Sequence, residues 1–189
     1  MEIFRDWDHR VFFFVNGLGS PALDPVFGWT THLGDTVLLL ALIFLCGWVW
    51  DRRGILKTFP WIFLAVGSAR VLGHVVKEWI HRPRPSVTFA EEIARGEAAV
   101  RTLFGPHQSY ASFPSGHAIA AFAAVTILCG IYGRKFGFLY LAAVVVAVSR
   151  VYVGAHFPSD VIAGAVIGTA VAWGTLRLRN SAVFLDKKN

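Results

Sequence analysis

Long apolar runs decide what this chain can fold into. A helix that crosses a bilayer needs about 20 mostly apolar residues. Residues 36–50 (TVLLLALIFLCGWVW) form one such run, beginning a few residues earlier. Residues 55–80 form a second, interrupted by Arg70, His74 and Lys77, and residues 117–132, 136–150 and 160–178 form three more. Only 16% of the 189 residues are charged and 55% are hydrophobic, against about 25% charged in soluble domains. The expectation is an all-α, integral-membrane bundle of five firm spans and a sixth less certain one.

Two N-terminal stretches are too short to cross unaided. Residues 3–18, centred on Val11–Val15 (VFFFV), read as an amphipathic or half-inserted helix ended by Gly17, Gly19 and Pro21. Residues 22–33 read as a further interfacial helix. The N-terminus MEIFRDWDHR lacks the basic region and small-residue cleavage site of a signal peptide, which predicts that this segment is retained. The whole chain, 1–189, reads as one domain, with 1–33 as its N-terminal helices. The connection over 82–113 is too long to be idle in so small a protein. A short helix is expected on each side of Gly96.

The formal net charge is +6. With no large soluble face, that charge points to anionic lipid and phosphate rather than nucleic acid. Cys46 and Cys129 fall inside apolar runs and read as buried thiols without a disulfide, zinc or catalytic role.

Alternation across the membrane places four helix ends on one side: the end of the second span, the start of the third, the end of the fourth and the start of the fifth. Lys77, Arg82, Arg84, Ser115, His117, Arg150, His156 and Asp160 all sit at those ends. Ionisable groups at membrane depth are costly and are usually functional or paired. Lys77, Arg84 and Arg150 supply positive charge suited to phosphate oxygens. Ser115 and Gly116 open a helix, where free backbone N–H groups point at an anion. Asp160 is the only acid in the set, which argues against a Mg²⁺ site; no cofactor is expected. His156 and Asp160 lie four residues apart, so they can meet across a helical turn. A carboxylate on one ring nitrogen fixes the tautomer, making His156 a candidate nucleophile. His117 has no such neighbour in sequence and suits protonation of the leaving oxygen.

These residues form three ordered motifs. Lys77-EWIHRP-Arg84-Pro85 fits K-x6-RP, Pro114-Ser115-Gly116-His117 is PSGH, and Ser149-Arg150-VYVGA-His156-FPS-Asp160 fits SR-x5-H-x3-D. The chain thereby resembles the phosphatidic acid phosphatase type 2 superfamily, which also contains the vanadium haloperoxidases. No motif position is substituted. The resemblance implies that His156 attacks phosphorus to give a phosphohistidine, that Asp160 orients it, and that His117 protonates the leaving group. It implies that Lys77, Arg84, Ser115, Gly116 and Arg150 bind phosphate, without metal.

Other polar residues keep open readings. Arg70 and His74 lie one to two turns below Lys77, either as paired groups inside the bundle or as contacts to a second phosphate or head group. Arg82 reads as a rim charge beside His81. His9, His32 and His107 read as surface or interface residues. Trp48, Trp50, Trp61, Trp79 and Trp173 read as interfacial anchors.

Counted over all Lys and Arg, the two membrane sides tie at nine. The short joints 51–57 and 134–135 and the tail from 177 are basic without a catalytic reason, so they are assigned to the cytoplasm. The active face then looks to the periplasm or exterior of a bacterial inner membrane, and 82–113 is extracytoplasmic. The leading expectation is a lipid phosphatase acting on undecaprenyl diphosphate, phosphatidylglycerophosphate, phosphatidic acid or lipid A 1-phosphate. A lipid phosphotransferase and a non-catalytic lipid transporter are the alternatives. The oligomeric state stays open.

Overall fold

A computed structural model describes residues 2–104 and 111–186; His107 and the middle of the long connection lie outside them. Nine α-helices account for most of the described residues. In order they are α1 (Glu2–Gly17), α2 (Leu23–His32), α3 (Thr36–Trp50), α4 (Arg52–Ile80), α5 (Pro85–Thr88), α6 (Ala90–Ala94), α7 (Gly116–Tyr132), α8 (Leu139–Tyr152) and α9 (Pro158–Asp186). A 3₁₀ turn, Arg134–Phe138, links α7 to α8.

The protein is an integral-membrane helical bundle. Three helical stretches are long and apolar enough to cross a bilayer, or four if α2 and α3 count as one span bent by 79°. By that measure α7, at 17 residues, is a shorter apolar helix, so the five to six spans expected do not all reach full length. Large apolar side chains such as Val37, Val49 and Trp50 are more than three-quarters exposed. Lipid is the solvent that makes such a surface tolerable.

The packing centres on α7, which lies mainly against α9 and α4. Its buried face is built of small residues: Ala118, Ala120, Ala121, Ala123 and Ala124. Opposite them α9 carries Gly164 and Gly168. A Cβ at Gly164 would lie 2.6 Å from the Ser115 carbonyl oxygen, and one at Gly168 2.3 Å from that of Ile119. Two glycines one turn apart thus let the α9 and α7 backbones touch, the close approach membrane helices use when lipid removes the hydrophobic drive. The same contact brings Asp160 to Ser115, whose amide donates to the Asp160 carbonyl at 2.9 Å.

Caps follow local chemistry. Asp35 accepts from the amides of Val37 and Leu38 at the start of α3, and Asp51 accepts from Gly54 at the start of α4. In α1, Asp8, Phe12 and Asn16 recur every fourth residue and are all buried, while Trp7 and Phe14 on other faces are exposed. This is the expected N-terminal helix, with one difference: its inward stripe carries polar groups at both ends.

Two expectations need correction. Among the described residues the connection is helical before Gly96, in α5 and α6, whereas residues 97–104, where a second short helix is expected, are irregular. Gly96 takes a left-handed φ of 72°, closing α6. Beyond it the Asn16 amide grips the Arg101 backbone, donating to its carbonyl at 2.8 Å and accepting from its N–H at 2.9 Å. Those tertiary bonds replace a helix's own. Cys46 is exposed and Cys129 half-buried, so neither is a core thiol; both are unpaired.

Candidate active site

Helix α4 ends at His81, whose φ of 48° is left-handed and turns the chain over the bundle end. Lys77 and Arg84 flank that turn. Lys77 Nζ donates to the Ala111 carbonyl at 2.7 Å, and Arg84 Nη1 to the Ala155 carbonyl at 2.9 Å. An ammonium carries three donors and a guanidinium five, so one carbonyl exhausts neither. Arg150, at the end of α8, donates from Nη1 to Thr31 on α2.

His156 follows a tight reversal. Gly154 has a φ of 75°, and a Cβ there would lie 2.4 Å from the Arg101 carbonyl oxygen. The amides of Ala155 and His156 both donate to the Arg150 carbonyl. His156 therefore precedes α9 rather than sitting inside it, yet its Nδ1 is 3.6 Å from Asp160 Oδ2, and both side chains are buried. That separation is longer than a hydrogen bond. Catalytic contacts of this kind often tighten only with substrate present. Burial lowers the His156 pKa to about 3, with Asp160 pulling it back up. The ring is thus neutral near pH 7, the form a nucleophile needs.

All eight residues named from the sequence converge on this end. Lys77 lies within Coulombic reach of Arg84, Arg70, Asp160 and Arg150. Half-buried His117 lies within reach of Arg150, His156, Arg70 and Arg84. Two buried polar atoms point at what the cluster is built to hold: among the described residues, Ser115 Oγ and Arg150 Nε have no hydrogen-bond partner. Buried orphan donors are rare and call for a ligand. With the amides opening α7, they make an anion cradle. Among the described residues no group of three His, Cys, Asp or Glu could hold a metal ion.

Sequence reasoning misread one residue and missed others. Arg82 is no rim charge. Its Nη1 donates to Asp160 Oδ1 and Ser159 Oγ, and its Nη2 to Asp8 Oδ2, each at 2.6 Å. It also lies over the Phe157 ring at 4.2 Å. Asp8, from α1, accepts from the Ser159 amide at 2.8 Å and from its hydroxyl at 2.7 Å. Ser112 Oγ donates to Asp160 Oδ2 at 2.5 Å, as does the Phe157 amide at 2.9 Å. The Asp160 carboxylate is therefore held by three donors before it meets His156. Nothing in the MEIFRDWDHR segment marks Asp8, because only the helix stripe and the tertiary contact tell it from Asp6. His9, expected at a surface or interface, stacks on Phe157 at 5.4 Å. His32 is exposed.

A buried His–Asp pair thus lies beside a cationic cradle at one bundle end. Residues 58–183 match the model of the PAP2 superfamily. The chain belongs to that superfamily. It is 33% identical over 167 residues to phosphatidylglycerophosphatase B of Bacillus subtilis (strain 168), covering 79% of this chain and 71% of that one. It is 26% identical to the undecaprenyl-diphosphatase BcrC of the same organism, covering 88% and 81%. The crystal structure of Aquifex aeolicus LpxE superposes with a TM-score of 0.74 at 27% identity, covering 89% of this chain and 93% of that one. This PAP2 protein is a membrane-embedded phosphatase.

Proposed function

We propose that the chain removes the terminal phosphate of a lipid phosphate or diphosphate through a phosphohistidine, without metal. The observation that carries this reading is the neutral, buried His156 held beside Asp160, next to orphaned phosphate-type donors on Ser115 and Arg150. Undecaprenyl diphosphate, phosphatidylglycerophosphate, phosphatidic acid and lipid A 1-phosphate all fit that chemistry.

In the first step His156 Nε2 attacks phosphorus, opposite the leaving oxygen. Asp160 supports the positive charge that grows on the ring. Arg84, Arg150, Lys77 and the Gly116 amide take the charge spreading over the equatorial oxygens. The P–O bond breaks and its electron pair stays on the lipid oxygen, which takes a proton from His117. In the second step water attacks the phosphohistidine, His117 accepts its proton, the P–N bond breaks and inorganic phosphate leaves.

The active end is assigned to the periplasmic or outer side of the plasma membrane. Support comes from the opposite joints, which carry Arg52, Arg53, Lys57, Arg134 and Lys135 without catalytic use. An impermeant thiol reagent on whole cells tests this. It should label a cysteine placed at exposed Glu97, in a chain lacking Cys46 and Cys129, and should not label one at Arg134. The reverse pattern inverts the orientation.

The functional test is phosphate release from a panel of lipid phosphates by detergent-solubilised protein in EDTA. It is paired with detection of an acid-labile, alkali-stable phosphoenzyme. Turnover with EDTA present and a phosphoenzyme lost in His156→Ala are expected. Turnover abolished by chelation and restored by Mg²⁺ would overturn the mechanism.

A further inference from the structure

Arg70 differs from every other cation of the site. Lys77, Arg84 and Arg150 each donate to an acceptor within the protein. Arg70 has no hydrogen bond or ion pair among the described residues, and it is exposed. It is not the paired group inside the bundle that its position in an apolar run also allowed. Its Coulombic acid neighbour is Asp35, whose Oδ1 is already occupied by the Val37 and Leu38 amides. An unpaired guanidinium on a membrane helix is costly unless something else meets it.

The place where its head group rests is informative. A Cβ built on Gly116 would lie 1.6 Å from Arg70 Nη1. The guanidinium therefore lies directly on the backbone of the residue that opens α7, at the edge of the anion cradle. Only a residue without a side chain at Gly116 admits it there. His74, one turn further along α4, is largely exposed and sits 3.9 Å from Glu78, so it does not share this position. Arg70 precedes Lys77 by two helical turns, about 10 Å of rise. It lies deeper along α4 than Lys77, inside the apolar stretch of that helix.

Arg70 also lies within Coulombic reach of His117, so a phosphoryl group held by Lys77, Arg84 and Arg150 with His117 at its leaving oxygen has Arg70 on that same side. A phosphate monoester puts only carbon there. A diphosphate puts a second phosphate there, joined through one oxygen. A second phosphate separated by a glycerol would fall beyond the reach of a group seated on Gly116.

We propose that Arg70 binds the second, lipid-proximal phosphate of a lipid diphosphate, and that it makes such diphosphates the preferred substrates of this site. The inference rests on the lipid-phosphatase reading above. In the step it favours, His156 Nε2 bonds to the terminal phosphorus and the bond from that phosphorus to the bridging oxygen breaks. The electron pair stays on the bridging oxygen, which departs as part of a lipid monophosphate. The charge gathering there faces Arg70. Water then displaces phosphate from His156.

The test uses full-length protein in detergent with farnesyl diphosphate, farnesyl monophosphate and phosphatidic acid. The first two differ by a single phosphate. The wild-type protein should prefer the diphosphate. Arg70→Gln should lower kcat/KM on the diphosphate by roughly 10–100-fold, the scale of a lost charge-assisted contact. It should change the two monophosphates less than about 3-fold by the same scale. Arg70→Lys should fall between, keeping the charge without the fork. Retained monophosphate activity shows that the variants fold. Equal losses on all three substrates, or no loss on the diphosphate, overturn the proposal. A wild-type protein that cleaves monophosphates without preferring the diphosphate overturns it while the phosphatase reading stands. A wild-type protein inert on all three overturns both.

Discussion

The two ends of the bundle handle charge in opposite ways. At the active end, charged groups are joined by contacts distant in sequence: Arg82 to Asp8 and Asp160, Arg150 to Thr31, Lys77 to the Ala111 carbonyl. At the other end, cations are satisfied by neighbours a few residues away. Arg52 lies over Trp48 at 4.2 Å, Arg177 over Trp173 at 3.9 Å and Lys135 near Phe136 at 5.4 Å. Local cation–aromatic contacts of that kind anchor helix ends at a membrane surface and are worth about 0.5–1 kcal/mol each when exposed. The long-range contacts do something different. Together with Ser112 and the Phe157 amide, they hold the Asp160 carboxylate in place beside the His156 ring, at the cost of burying charge.

That contrast can be broken most severely at His156. His156→Ala should bring phosphate release to background on every lipid substrate while leaving both ends folded, as thermal unfolding in detergent will show. Near wild-type turnover would remove the nucleophile from the active end.

His117→Ala should have the next largest effect, and an uneven one. General acids contribute roughly 10²–10⁴-fold, and most where the leaving group is poor. The loss in burst rate should approach that range on a lipid monoester and be much smaller on p-nitrophenyl phosphate. Equal losses would make His117 one more cradle group.

Arg82→Ala tests whether the long-range network is what the active end depends on. It leaves the buried carboxylates of Asp8 and Asp160 without their shared cation, a change that typically costs about 3–5 kcal/mol. The unfolding midpoint should drop and kcat should fall with little change in KM. Arg82→Lys should recover part of the stability but little of kcat, because one ammonium cannot fork between two carboxylates. Recovery of both by lysine would show that charge alone suffices.

A gentler probe is pH. His156 is held near a pKa of about 3, below its unfolded value of about 6.5. The unfolded chain therefore takes up a proton first as pH falls. Stability should decline as pH drops through about 6.5 and keep declining toward about 3. His156→Gln should flatten that part of the profile. An unchanged slope would mean that the ring is not held neutral by burial.

The smallest effect belongs to the opposite end. Arg134→Gln with Lys135→Gln should change stability by no more than about 0.5 kcal/mol and leave kcat unchanged. A large loss of activity there would erase the distinction between the ends.

Much of this protein was legible along the chain. Apolar runs give the helices because lipid leaves backbone groups no other partner, and fixed spacing gives Lys77, Arg84, Ser115, Gly116, His117, Arg150, His156 and Asp160, because their chemistry recurs in ordered motifs. The caps at Asp35 and Asp51 were seen only in the structure, although each bonds amides within three residues. What needed the tertiary structure shares one physical cause: its partners lie far apart in sequence. Asp8 looks like any surface acid until α1 folds its stripe inward. Arg82 looks like a rim charge until the turn at His81 aims it between two carboxylates. Residues 97–104 have the composition of a helix, yet Asn16 holds their backbone in another form. Arg70 allowed two readings until Gly116, in a different helix, gave its guanidinium a seat. Composition and period fix which segments enter the membrane; which charges meet there is set by long-range packing, whose close approach at Gly164 and Gly168 no local pattern measures.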